Sequence, residues 1–130
     1  MVYNSISQEI ELIATEIVDA AFSVHSQLGA GLLEKIYETC FCYELEKRGL
    51  NFQKQVAVSI EYDGEKLKDA FRIDVLVEDK IICELKAVNE MNSIYDAQIL
   101  TYLKLTGKRL GFLINFNVPL IKNGIKRVIL

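Results

Sequence analysis

The sequence predicts a mixed α/β fold, an α+β arrangement in which helices flank a mixed sheet. Three observations carry this reading. The chain opens with two stretches in which apolar residues recur at helical spacing, and it then changes to a period of two. One more helical stretch is followed by short apolar runs bounded by turn residues. Finally, 130 residues with 51% hydrophobic and 25% charged side chains suit one domain over 1–130 with a single core and no disordered tract.

Ser5 and Gln8 have the spacing of a capping box, and Ile6, Ile10, Ile13, Ile17, Val24 and Leu28 form one stripe of a first helix, ended by Gly29. This N-terminal helix occupies 1–29. A second helix runs from about Leu32 to Arg48 and stops at Gly49. Leu33, Ile36, Cys40 and Tyr43 form its apolar stripe, beside a second stripe of Glu34, Tyr37, Glu38 and Phe41. Val56, Val58, Ile60 and Tyr62 then alternate with Ala57, Ser59 and Glu61 up to the turn pair Asp63-Gly64. A strand from about Ala70 to Val77, a turn near Glu78-Asp79 and a strand from about Ile81 to Val88 follow. Asn92 or Ser93 caps a third helix that reaches about Leu105 and closes at Gly107. Arg109 to Phe116 reads as a buried strand, and IKRVIL, after Pro119 and Gly124, as a last short one in a C-terminal extension over 117–130. The core is expected over 32–116.

Composition narrows the function. No apolar run approaches the ~18 residues of a membrane span, and the opening segment is too acidic and broken for a signal peptide. Cys40, Cys42 and Cys83, with a lone histidine, exclude a zinc ribbon and argue against a disulfide scaffold, so reduced thiols and a cytoplasmic setting are expected. Net charge is −3, which argues against coating nucleic acid by bulk electrostatics. The charge is unevenly spread: six basic and no acidic residues follow Asp96 (Lys104, Lys108, Arg109, Lys122, Lys126 and Arg127), against nine basic and 18 acidic residues before them. That rear is either a polyanion-facing surface or a counterweight to the acidic front.

The chemistry is concentrated between Phe71 and Ala87. Phe71, Ile73, Val75 and Val77, then Ile81, Cys83, Leu85 and Ala87, occupy one face of a regular hairpin; Arg72, Asp74 and Leu76, then Ile82, Glu84 and Lys86, occupy the other. A three-residue loop or a bulge sets Asp74 opposite Glu84, whereas a two-residue turn sets Cys83 there and breaks the two-face pattern, so the longer loop is expected. Two readings stand. The polar face meets water, as in most such hairpins. Alternatively, the opposed carboxylates, which repel unless a cation lies between them, take a hard divalent ion such as Mg²⁺, with Lys86 beside it to hold a water or steady a phosphate. Leu76 and Ile82 on the same face indicate that it is partly covered.

Asp74 followed by Glu84-Leu85-Lys86 across a hairpin resembles the PD-(D/E)xK nuclease signature. The element order from Leu32 is similar to that superfamily's restriction-endonuclease-like αβββαβ core, here with an extra N-terminal helix and a C-terminal strand. Gly31-Leu32-Leu33-Glu34-Lys35-Ile36-Tyr37 resembles the signature of the GxxExxY branch, as do VHSQLGAGLLEKIYE, FRIDVLVEDKIICELKAV and DAQILTYLKLTGKRLGFLINFNVPLIKNGIKRVIL, together covering nearly the whole chain from about Glu16. The resemblance implies that Asp74 and Glu84 ligate Mg²⁺, with Mn²⁺ as a substitute and the backbone carbonyl of Leu85 as a further ligand. It implies that Lys86 orients or activates the attacking water and that Glu34 completes the site directly or through water. Gln98 and Tyr102 resemble the Gln-x-x-x-Tyr motif of RecB-like members, Gln98 bracing the lysine or substrate and Tyr102 touching a phosphate. Two departures from the pattern are visible: Gly29-Ala30-Gly31 stands where the branch often has Gly-Pro-Gly, and Ile73-Asp74 where the superfamily name has Pro-Asp. Neither proline does chemistry.

Taken singly, the outlying residues have plainer roles. Glu34 faces the positive end of its helix, Tyr37 and Tyr102 pack with satisfied hydroxyls, Gly31 lets the chain turn, and His25 is a core or supporting residue. The expected function is a Mg²⁺-dependent nuclease, a hydrolase of DNA phosphodiesters with RNA as the second substrate. The alternative is a nucleic-acid-binding or regulatory domain that keeps the site with weak or no turnover. A purely structural partner protein is a third reading, since an apolar last strand leaves a pairing edge, and a homo-oligomer through that edge or the first helix is expected.

Overall fold

The computed structural model describes residues 5–130. Helix α1 spans Gln8–Leu28 and α2 spans Glu34–Lys47; strands β1 (Phe52–Tyr62), β2 (Glu65–Val77) and β3 (Ile81–Lys86) follow. Then come α3 (Ser93–Thr106), β4 (Leu110–Asn115), a single 3₁₀ turn at Ile121–Asn123 and β5 (Ile125–Ile129). The sheet has the order β1-β2-β3-β4-β5 and is antiparallel except between β3 and β4, whose parallel pairing is made by the crossover through α3. The mixed fold expected from the sequence is present.

Two apolar layers sandwich this sheet. Ala14, Ile17 and Val24 of α1 and Tyr37, Phe41 and Leu45 of α2 pack on Val75, Val77, Ile81, Cys83, Leu85, Phe112 and Ile114. On the opposite face Ile99 and Leu103 of α3 cover Ile73, Leu76, Ile82 and Leu113. Gly111 makes that approach possible, because an added Cβ would lie 2.8 Å from Ile99 Cδ1.

Several local expectations are corrected. The side chain that caps α1 is Ser7, which accepts from the Ile10 amide at 3.2 Å, and not Ser5. The apolar stripe expected to anchor α2 is turned outward: Leu33 is 77% exposed and Tyr43 62%, whereas Tyr37 and Phe41 are fully buried. Two aromatic rings remove more surface from water than Leu33 and Ile36 would, each worth about 1.5–3 kcal/mol or more when buried, and Tyr37 has a partner in Phe116, stacked at 4.7 Å. The second strand begins at Glu65 rather than near Ala70, extending the β1–β2 ribbon to a tight turn in which Asp63 and Gly64 both have positive φ, 52° and 82°.

Half of the basic rear is a counterweight to acidic residues. Arg127 grips Glu11 through two hydrogen bonds, Lys126 pairs with Asp96, and Lys108 with Asp79. Cys40, Cys42 and Cys83 are free thiols, and no helix among the described residues is long and apolar enough to cross a membrane.

Candidate active site

Glu78, Asp79 and Lys80 make the three-residue loop expected from the sequence, with φ of 52° and 54° at the first two. Pairing of Val77 with Ile81, Leu76 with Ile82 and Val75 with Cys83 brings Asp74 level with Glu84. There the two strands part, and side chains take over the backbone hydrogen bonding. Glu84 Oε2 accepts from the Asp74 amide at 2.8 Å, and Asp74 Oδ2 accepts from the Leu85 amide at 2.9 Å. Each carboxylate thus has one oxygen tied to its neighbour's strand.

The ribbon rolls over at this point, which corrects the expected two-face pattern. Val75 and Val77 face α1 and α2, but Ile73 and Phe71 face α3 together with Leu76. On β1 the switch is matched: Phe52 lies on the α1–α2 side, Val56 and Val58 on the α3 side. Between the pairs Lys54–Val75 and Val56–Ile73 stands Gln55, with φ of 51°. Such a conformation is uncommon for a residue with a side chain. The Gln55 amide donates to Glu38 Oε2 at 3.0 Å and to Asp74 Oδ1 at 3.4 Å.

Glu84 is 7% exposed, and its carboxyl pKa is pushed up to about 8, first by burial and then by the charge of Asp74, against the opposing pull of Lys86. Lys86, two residues along the same face, holds its ammonium 4.4 Å from the centre of the Tyr95 ring on α3. The expected brace, Gln98, is exposed instead and lines a shallow groove of about 340 Å³ between α3 and the ribbon, with Tyr102, Phe71 and Thr101. Tyr102 stacks on Phe71 at 4.2 Å, and its hydroxyl is harder to ionise because of burial and the charges of Glu84 and Asp74. Strand geometry turns the Leu85 carbonyl to the same side as its amide, toward β2.

Glu34 enters from the first turn of α2. Desolvation raises its pKa, followed by the charge of Asp74, while Lys86 lowers it. A clamp holds that turn. The Tyr37 hydroxyl donates to the Gly29 carbonyl at 2.6 Å and accepts from the Leu32 amide at 3.1 Å, and the Gly31 amide donates to Asn117 Oδ1 at 3.0 Å. Gly31 has φ of 100°, which a side chain would not tolerate. His25 shares an Nε2 contact of 2.7 Å with the Val118 carbonyl and serves the same loop rather than the acidic cluster. In GxxExxY, then, glycine and tyrosine fasten the turn that presents the glutamate.

Asp74, Glu84, Lys86 and Glu34 are brought together, with Tyr102 nearby and Gln98 at the rim. Among the described residues, no group of three His, Cys, Asp or Glu side chains is gathered closely enough to hold a metal ion by itself, so Glu34 does not close a three-carboxylate cage. The donor set still fits a hard divalent cation: two opposed carboxylates, one of them buried. Sequence reasoning missed Gln55 and Tyr95 altogether. Glu38 had a signal, since it lies one turn beyond Glu34 on the same helix face.

No curated protein matches the chain. Among solved structures, the crystal structure of SSO0001 superposes with a TM-score of 0.52 at 20% sequence identity, over 92% of this chain and 58% of that one, a likeness of fold. The family model described as the PD-(D/E)XK nuclease superfamily matches residues 11–128. With nearly the whole chain inside that match, and the Asp74 and Glu84 side chains crossing where β2 leaves β3, the protein belongs to the PD-(D/E)XK nuclease superfamily.

Proposed function

We propose that this domain is a Mg²⁺-dependent nuclease that hydrolyses DNA phosphodiesters, with Mn²⁺ as a substitute ion, RNA as the second substrate class and the cytoplasm as its setting. Superfamily membership supports nuclease chemistry in general. The observation that carries the specific reading is the crossed pair, Asp74 on the Leu85 amide and Glu84 on the Asp74 amide, with the pKa of the buried Glu84 carboxyl pushed up to about 8 by that burial and by the charge of Asp74.

Asp74 and Glu84 would hold the ion, joined by the Leu85 carbonyl. When bound, the ion would polarise the phosphate and lower the pKa of a coordinated water. Lys86, steadied over Tyr95, donates a hydrogen bond to the attacking water or a phosphate oxygen. The attacking water would release a proton to solvent as its oxygen bonds to phosphorus; the bond from phosphorus to one sugar oxygen breaks, and that oxygen leaves with the electron pair and takes a proton from solvent. Glu34 acts from the α2 side through water, Tyr102 meets a phosphate, and Gln98 borders the groove where the flanking nucleotide lies. Cleavage of linear, circular, single-stranded and RNA substrates with Mg²⁺ or Mn²⁺ tests this. The native chain should cut at least one substrate and Lys86→Ala should be slower by about 10²-fold or more. Equal cutting by both would refute the assignment.

That Asp74, Glu84 and Glu34 form no three-carboxylate cage among the described residues favours, as the second reading, a nucleic-acid-binding or regulatory domain with the site retained. Nucleic-acid binding unaffected by Asp74→Ala, with no cutting by the native chain, would select it. Self-association would use the β5 edge, which has no neighbouring strand on its outer side among the described residues, or the first helix; sedimentation as a monomer at tens of micromolar, an order-of-magnitude range for modest interfaces, would remove it.

A further inference from the structure

We infer that Gln55 is a positioning residue of the metal site: its left-handed backbone rolls the β1–β2 ribbon, and its amide fixes Asp74 and Glu38 without neutralising them. The inference rests on the function proposed above and deepens it.

Gln55 differs from the other positive-φ residues. Asp63, Glu78 and Asp79 occupy turns, and Asp69 lies where the β1–β2 register shifts, whereas Gln55 stands inside β1 between pairs that keep one register, Lys54–Val75 and Val56–Ile73. Sparsely populated backbone inside a regular element persists only where the surroundings enforce it, and such positions concentrate at functional sites. Here both strands change face at the Gln55–Asp74 position. The same residue reaches from β1 to α2 and β2 at once, donating to Glu38 at 3.0 Å and Asp74 at 3.4 Å, while its carbonyl accepts from Arg72 Nη1 at 3.3 Å.

The residue type has a reason. Asp74 is tied to β3 through Oδ2 and the Leu85 amide, and Gln55 ties Oδ1 to β1, so both oxygens are oriented. A lysine or arginine at position 55 would supply the same donors with a positive charge and compete with a metal ion. The neutral amide orients the carboxylate and leaves its charge for the cation. Partners of this kind that set the direction of a metal ligand typically govern affinity by about 10–100-fold.

Gln55→Gly separates the two contributions, because glycine accepts a φ of 51° without strain but offers no amide. The test is thermal melting of the full chain titrated with Mn²⁺, for the native protein, Gln55→Gly and Asp74→Ala, alongside cleavage as a function of Mn²⁺. Without metal, Gln55→Gly should melt at the native temperature or above. Its Mn²⁺ dissociation constant should rise about tenfold, and the Mn²⁺ needed for half-maximal cleavage should rise with it, while the rate at saturating Mn²⁺ recovers. An Mn²⁺ affinity within twofold of native overturns the inference, and so does a metal-free melting temperature that falls in step with affinity. Absence of any Mn²⁺ shift in the native chain overturns both the inference and the function it rests on.

Discussion

Two glutamates that expose nearly equal fractions of their surface, with Glu84 the more deeply set of the two, meet opposite fates. Glu44 on α2 is 6% exposed and Glu84 on β3 is 7% exposed. Arg48 donates to Glu44 Oε1 at 2.5 Å and to Asp19 at 2.7 Å, with Glu16 at 3.5 Å, binding α2 to α1. That guanidinium, above all its hydrogen bond, holds the Glu44 carboxyl below the usual carboxylate range, whereas burial and Asp74 push Glu84 up. One acid is a finished structural joint. The other accepts a single backbone hydrogen bond, from the Asp74 amide, and lies beside the like charge of Asp74, where the proposed ion would be held.

Asp74→Ala breaks the comparison most severely. With Mg²⁺ at a hundred times its dissociation constant the native chain should gain about 2.7 kcal/mol of stability, and Asp74→Ala none, with cleavage lower by about 10³-fold. An equal Mg²⁺ shift in calorimetry would remove the metal from this hairpin. Arg48→Met acts on the other glutamate. It should cost about 2 kcal/mol in urea unfolding, the scale of a hydrogen bond to a charged group, because Glu44 loses its main partner and keeps only Lys47 at 3.4 Å, while Glu16 and Asp19 still reach water. The Mg²⁺ shift should survive; its loss would show that the two clusters are one system.

A pH series sharpens the contrast through its sign. The Glu84 pKa is raised to about 8 in the fold from 4.5. In the metal-free protein the folded state therefore binds the extra proton, and stability falls as pH rises across that interval. Glu84→Gln lacks this slope, so its melting temperature should exceed the native one increasingly from pH 5 to pH 8, by a margin constant above. Glu44 runs the other way: its folded pKa lies below 4.5, and the stability it contributes is present above that value and lost as pH falls below it. Parallel melting curves for Glu84→Gln and the native chain at pH 5 and pH 8 would contradict the assignment. The smallest effect is expected from Tyr95→Leu, which removes the ring beneath Lys86. A cation–π contact of this kind is worth about 0.5–1 kcal/mol, so cleavage should fall only a few-fold; a loss as large as that of Lys86→Ala would give Tyr95 a direct role in the reaction.

Much of this site was legible before folding. Helical and alternating periods placed the elements, because each depends on neighbours within a turn or two. The need to keep Leu76 and Ile82 on one face selected the three-residue loop, and that loop brought Asp74 level with Glu84. Lys86 shares the face of Glu84 by strand geometry alone. The roll at Gln55 was not legible, because both faces of the sheet are covered and the apolar run Phe71, Ile73, Val75, Val77 reads the same whether or not it changes sides. The turning of Leu33 and Ile36 to solvent was equally hidden, since both candidate faces of α2 carried apolar residues.

By itself the sequence determined the order of elements, the register of the β2–β3 hairpin and the acids and lysine that the hairpin carries, all consequences of local spacing and turn chemistry. Tertiary structure alone decided which side of α2 is buried, where the ribbon turns over, and that Tyr95 and Gln55 attend the cluster. Those choices depend on partners distant in the chain: Phe116 against Tyr37, α3 beneath Lys86, and α2 across from β1. Packing geometry selects among faces that local pattern leaves equivalent.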